Sequence, residues 1–209
     1  MALNFDSRIS AFEQLGLWLE QFLKEVENNR FTDDFNSEFQ AIIERQSREN
    51  GWFTQYNIYS SLAAIRDNLQ AESLNNLRFV YGNRIATSWQ EKIVAVVTGA
   101  FFPLVSFYDF MVVLLTGNVL QIKLHADDKL LLPKIAQKLM EIEPDFSEKI
   151  QFVDQLHDFE RVIITEENGH SEVLCQYFSK YPMFVHRRQR AAAILTGNET
   201  LTQLRALSN

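Results

Sequence analysis

Residues 91–124, EKIVAVVTGAFFPLVSFYDFMVVLLTGNVLQIKL, constrain the fold more than any other part of the chain. An apolar run of strand length at 92–98 is followed by a turn, an apolar helical stretch closed by Gly117, and a second apolar run ending at Lys123. Two buried strands joined through a helix form a βαβ unit, in which the strands lie parallel and the crossover is right-handed. Sheets of this kind bind ligands outside the carboxyl ends of their strands, so Lys123 falls where nucleotide contacts are made. The turn after the first strand carries Phe101 and Phe102 in place of a Gly-rich phosphate loop.

The rest of the chain is consistent with such a unit. Before it, Phe5, Ile9, Phe12, Leu15, Leu19, Phe22 and Val26 recur at spacings of three and four, which places them on one face of a helix over 5–26. A second helix is expected over about 36–46, ending near Gly51 as its C-cap, and a third from Thr54 as N-cap, carrying Tyr59, Leu62, Ile65 and Leu69. The first 80 residues therefore read as helical. Beyond Arg84, expected strands at 92–98, 118–124, 149–153, 160–165 and 191–196 alternate with helices at 103–116, 128–141 and 168–180. The expected fold is α/β, a Rossmann-like parallel sheet flanked by helices, with a helical region over 1–84 packing on a sheet domain over 85–209.

Composition narrows the function classes. With 209 residues, 46% apolar, the chain can bury a proper core, and 17 Phe against 7 Gly and 4 Pro favour long helices over loop-rich β structure. A net charge of -7, with RRQR at 187–190 as the one basic cluster, argues against a nucleic-acid partner. The single Cys175 excludes an internal disulfide and a multi-cysteine metal site and points to a reducing cytoplasm. No signal-peptide layout opens the chain, and no apolar run reaches the roughly 18 residues of a membrane span. His157 and His170, near Asp154, Asp158 and Glu172, fit no metal-ligand spacing, and solvated helix ends account for them more simply.

Three stretches, GAFFPLVSFYDFMVVLLTGNVLQIKL, RVIITEENGHSEVLCQYFSKYP and RRQRAAAILTGNET, occur in order over residues 91–204 and resemble the bacterial luminescence-type acyl-CoA reductases, a branch of the aldehyde dehydrogenase superfamily. NRFT at 29–32 and GWFT at 51–54 are weaker echoes. The resemblance implies an aldehyde dehydrogenase-like fold in which a Rossmann-like domain binds NADPH and a following domain supplies a cysteine nucleophile. That thiolate takes the acyl group of a fatty acyl-CoA as a thioester, and hydride transfer releases the aldehyde.

Carried onto this sequence, the resemblance makes Lys123 the lysine that hydrogen-bonds the ribose hydroxyls of the adenosine half. The same lysine also fits a solvated strand end. His125 would lie near the ribose or its 2'-phosphate, or else stand as a surface-loop histidine. Glu166, Glu167 and Asn168 occupy the cofactor-binding turn where the superfamily has a Gly-Ser pair opening a helix toward the pyrophosphate. Two carboxylates there satisfy the helix dipole themselves and would repel a diphosphate.

Phe101 stands where the family has an asparagine oxyanion donor, and losing such a donor typically costs on the order of a hundredfold in turnover. Pro103 is expected at the first helical position. The family's cysteine follows the LTGNET stretch, so this chain represents the nucleotide-binding half, with the catalytic cysteine domain absent and no catalytic residue assigned; mid-helix Cys175 does not replace it. Glu199 matches a motif near the family's active-site cleft. Arg187, Arg188 and Arg190 can meet a phosphate or simply flank a strand.

The expected protein is thus an NADPH-binding half of an acyl-CoA reductase, inactive alone. The alternative is a non-catalytic relative serving as a binding or assembly module. Either way a homo-oligomer, or a partner covering the missing half, is expected.

Overall fold

Capping side chains and apolar faces set the N-terminal region. The computed structural model of the chain describes residues 3–86, 90–165, 171–186 and 193–207. The helical region resolves into α1 (Phe5–Glu27), α2 (Asp34–Glu49), α3 (Gln55–Asn68) and α4 (Ala71–Ala86). Asn4, Asp33 and Thr54 each accept a backbone N–H from the first turn of the helix they precede, at 2.8, 2.7 and 3.1 Å. Thr54 is the N-cap expected from the sequence, but α2 ends on an extended Asn50 (φ -129, ψ 112) rather than on Gly51. The α1 residues spaced at three and four form its buried face, with Phe12, Leu15, Leu19 and Phe22 fully buried.

The second part alternates as expected: β1 (Ile93–Val97), α5 (Phe107–Leu115), β2 (Val119–Lys123), α6 (Leu131–Ile142), a 3-10 turn (Pro144–Glu148), β3 (Ile150–Phe152), β4 (Arg161–Thr165), α7 (Ser171–Tyr177), β5 (Met183–His186) and α8 (Leu201–Leu207). All pairings are parallel in the order β3-β2-β1-β4-β5, with Val94 opposite both Leu120 and Arg161, and Thr165 opposite His186. This is a Rossmann-like α/β sheet flanked by helices, with a helical region before it.

Three expectations are corrected. The fifth strand is Met183–His186, not 191–196; of that stretch, the described residues 193–196 have no regular structure. The AAAIL run drew the expectation by its hydrophobicity, whereas MFVH follows Pro182 at a turn and alternates only briefly. Helix α5 begins at Phe107 rather than 103, so Pro103 lies in a turn. That turn includes Leu104 with φ +59, which an α-helix cannot contain. Residues 178–180, expected to extend α7, form a turn.

One continuous core joins the helical region to the sheet. It runs from Phe12, Leu15 and Phe22 of α1 through Phe107 and Phe110 of α5 to Val96, Leu120 and Ile122 of the strands and Leu139 of α6. Phe12 makes edge contacts with Phe110 and Phe146, at centroid distances of 6.4 and 5.9 Å. The opposite sheet face carries a smaller cluster in which Ala95, Val162 and Ile164 pack under Phe178. No helix among the described residues is long and apolar enough to cross a membrane.

Gly117 ends α5 with φ +82, and a Cβ there would stand 2.8 Å from the Arg8 guanidinium, which donates to the carbonyls of Leu115 and Leu3. Gly117→Ala combines a left-handed backbone penalty with displacement of Arg8. It is expected to lower stability by about 2 kcal/mol, read as a reduced urea midpoint with unchanged slope.

Candidate functional site at the carboxyl edge of the sheet

The chain moves outward from β1 to β2 and β3 on one side, then returns to place β4 and β5 on the other. The strand order therefore reverses between β1 and β4, and in open α/β sheets ligands bind outside the carboxyl ends at such a point. The residues ending β1 and β2 form one rim of this edge, and those ending β4 and β5 the other.

On the first rim, Thr98 ties the β1 and β2 ends together. Its N–H donates to the Lys123 carbonyl at 3.2 Å, and its Oγ1 accepts the His125 N–H at 2.8 Å. The Lys123 side chain is exposed, and among the described residues its ammonium has no hydrogen-bond or ion-pair partner. His125 Nδ1 accepts the Asp127 N–H at 3.2 Å. The Asp127 carboxylate lies 3.7 Å from the same nitrogen.

Asp128, 2% exposed, reaches across to the β1–α5 turn, where its Oδ2 accepts the Leu104 N–H at 3.1 Å. This bond holds Leu104 in its left-handed conformation. Among the described residues Asp128 Oδ1 is buried without a partner, and burial pushes this carboxyl up to about 7 despite the Leu104 bond. Gln46 of α2 donates to the Asp127 carbonyl at 2.8 Å and Ser61 of α3 to the Pro103 carbonyl at 2.9 Å, so the helical region fixes both loops. A pocket of about 230 Å³ lies between the end of α2 and the β2–α6 loop, with Arg45 and Lys129 set against Glu49 and Asp127.

The second rim carries a cluster that the sequence reading missed. Asp109, in the first turn of α5, accepts the Thr165 hydroxyl at 3.0 Å through Oδ2. Its Oδ1 lies 2.8 Å from His186 Nε2. Thr165 and His186 end β4 and β5 as register partners, so both project to the sheet face on which α5 packs. Burial raises the Asp109 carboxyl above its ordinary range, while His186 and Thr165 oppose that rise. One signal was available in the sequence: a lone carboxylate inside FYDFMVVLL, where burial without a partner is costly.

The other expected residues divide. Glu166, Glu167 and Asn168 lie outside the described residues, as do His170, Arg187, Arg188 and Arg190. Phe101 is partly buried in the β1–α5 turn and Phe102 is 42% exposed. Cys175 is partly buried on α7. Glu199 spends its carboxylate on the Thr196 N–H and hydroxyl and the Gly197 N–H, bonds that keep its pKa low. His157 accompanies Gln121 and Asp158, and no group able to hold a metal occurs among the described residues.

No protein-family model matches this chain, and no curated protein is significantly similar to it. The carboxyl edge of the sheet and its two rims therefore carry the functional argument.

Proposed function

We propose that the chain is the nucleotide-binding half of an NADPH-dependent acyl-CoA reductase resembling the bacterial luminescence type. The reductase would convert a fatty acyl-CoA to its aldehyde, with the thiolate supplied by another domain or subunit in the cytoplasm. The observation that carries this reading is Lys123, a cation exposed at the end of a buried parallel strand, beside the strand-order reversal, whose ammonium the described residues leave unclaimed. Lys123 would hold ribose hydroxyls of the cofactor, with His125, 40% exposed, two residues further on. NADPH would supply the hydride; the chain's own part is to bind and orient it. Against the reading stands the β1–α5 turn, where Phe101 offers no side-chain donor.

A second reading, a non-catalytic binding or assembly module, is favoured by large apolar side chains left exposed: Phe79 at 90%, Trp52 at 79% and Ile194 at 89%. Isothermal titration with NADPH and NADP separates the two. The first reading expects saturable binding that Lys123→Ala weakens about tenfold, the worth of one charged hydrogen bond. Absence of binding to a folded chain, with self-association in sedimentation, would leave the module.

A further inference from the structure

The Asp109–His186 pair has a polarity that follows from its chemistry. A carboxylate next to an imidazole nitrogen accepts, so Nε2 carries the proton and donates to Asp109 Oδ1 across 2.8 Å. In the neutral ring this leaves Nδ1 a bare acceptor. Among the described residues Nδ1 has no partner, and the ring is fixed from a second side by the edge-to-face contact with Phe184, 4.7 Å between centroids. The two ends of the pair differ in environment, because the Asp109 side chain is 10% exposed and that of His186 49%. Thr165 already gives the buried carboxylate a donor. Here the anchored carboxylate is interior and the imidazole is half exposed, at the carboxyl ends of β4 and β5.

We infer that His186 is a ligand-contacting residue of the second rim: Asp109 sets its tautomer, and Nδ1 accepts a hydrogen bond from an O–H or N–H group of a small molecule at the carboxyl edge, such as a sugar hydroxyl or a carboxamide. Asp109 is then a positioning residue, acting through the imidazole. The inference rests on the reading that ligands bind at the carboxyl edge, but not on Lys123 or on the identity of the cofactor.

Long-range proton–nitrogen correlation spectra of the folded chain, with His186 assigned by its loss in His186→Ala, test it. The expected result is an Nε2–H tautomer in the free protein, perturbed in Asp109→Asn. The Nδ1 resonance should then shift upfield when a hydrogen-bond donor arrives from either of two probes, NADPH or decanoyl-CoA, and His186→Ala should weaken that probe's binding about tenfold. His186→Asn, which keeps an acceptor near the same place, should recover part of the affinity; a purely structural histidine would give no shift and no such rescue. If NADPH binds, as measured by titration, while His186 is unmoved by both probes, this inference falls and the nucleotide reading stands. If NADPH does not bind but decanoyl-CoA shifts Nδ1, the nucleotide reading falls and this one stands. An Nδ1–H tautomer in the free protein, or no response to either probe, overturns it.

Discussion

Glu25→Ala is expected to destabilise the chain by about 2–3 kcal/mol, in the range for removing a carboxylate that accepts several charge-assisted hydrogen bonds. Glu25 is 4% exposed. Its carboxylate accepts from Gln21 at 2.8 Å, from the Thr32 N–H at 3.2 Å and hydroxyl at 2.5 Å, and from the Asn36 amide at 2.8 Å; Asn36 in turn accepts the Trp18 indole N–H at 2.8 Å. Truncation leaves the buried Asn36 amide without this acceptor, at a cost of about 1–3 kcal/mol, whereas Gln21 and Thr32 are exposed and can turn to water. Glu25→Gln, which keeps the shape but turns one acceptor oxygen into a donor, should lose roughly half as much. Burial pushes this carboxyl up, but the hydrogen bonds from Thr32, Gln21 and Asn36 outweigh it and bring it down from 4.5 to about 2. A depressed acid contributes stability that is full above its unfolded pKa and is lost as pH falls toward the folded value. Acid unfolding between about pH 4.5 and pH 2 should therefore soften in both variants, as followed by circular dichroism.

The second large effect runs the other way with pH. Asp128 is raised from 3.8 to about 7, so the folded chain binds this proton more tightly than the unfolded chain does. Stability contributed at this site falls as pH rises from about 4 to about 7, and the full cost applies above that window. A rise of that size corresponds to about 4 kcal/mol. Asp128→Asn removes the titration while its amide oxygen can still accept the Leu104 N–H. Chemical denaturation at pH 5 and pH 8 should find the variant no more stable than the parent at pH 5 and more stable by about 1–4 kcal/mol at pH 8. Equal pH slopes in the two proteins would show that Asp128 is not the group responsible.

The parts of the fold legible in the sequence are those fixed by local rules. The α1 stripe, the Thr54 cap, the Gly117 stop and the apolar runs of β1 and β2 are each decided within a few residues, and all appear where expected. Placing Lys123 at the end of β2 needed nothing more. What escaped was decided at a distance. The start of α5 depends on Asp128, 24 residues beyond Leu104, whose bond holds a backbone conformation that leucine rarely adopts. Strand β5 is short and owes its place to pairing with β4, so hydrophobicity pointed instead to a longer apolar run that forms no strand in its described part.

The second rim was harder still to read. Asp109 and His186 are separated by 77 positions and Asp109 and Thr165 by 56, and no local motif ties them. Strand order alone brings them together, since α5 follows β1, which sits beside β4 and near β5. No local pattern singles out His186, because the strand it terminates owes its place to pairing with β4.

Gln46 and Ser61 give the carboxyl edge an asymmetry with mechanical meaning. They pin the loops after β2 and β1 to helices that belong to the main core, so that side of the opening behaves as a fixed jaw, set by residues far from any guest molecule. Substitutions in α2 or α3 that lose these two bonds would retune the aperture without touching what passes through it.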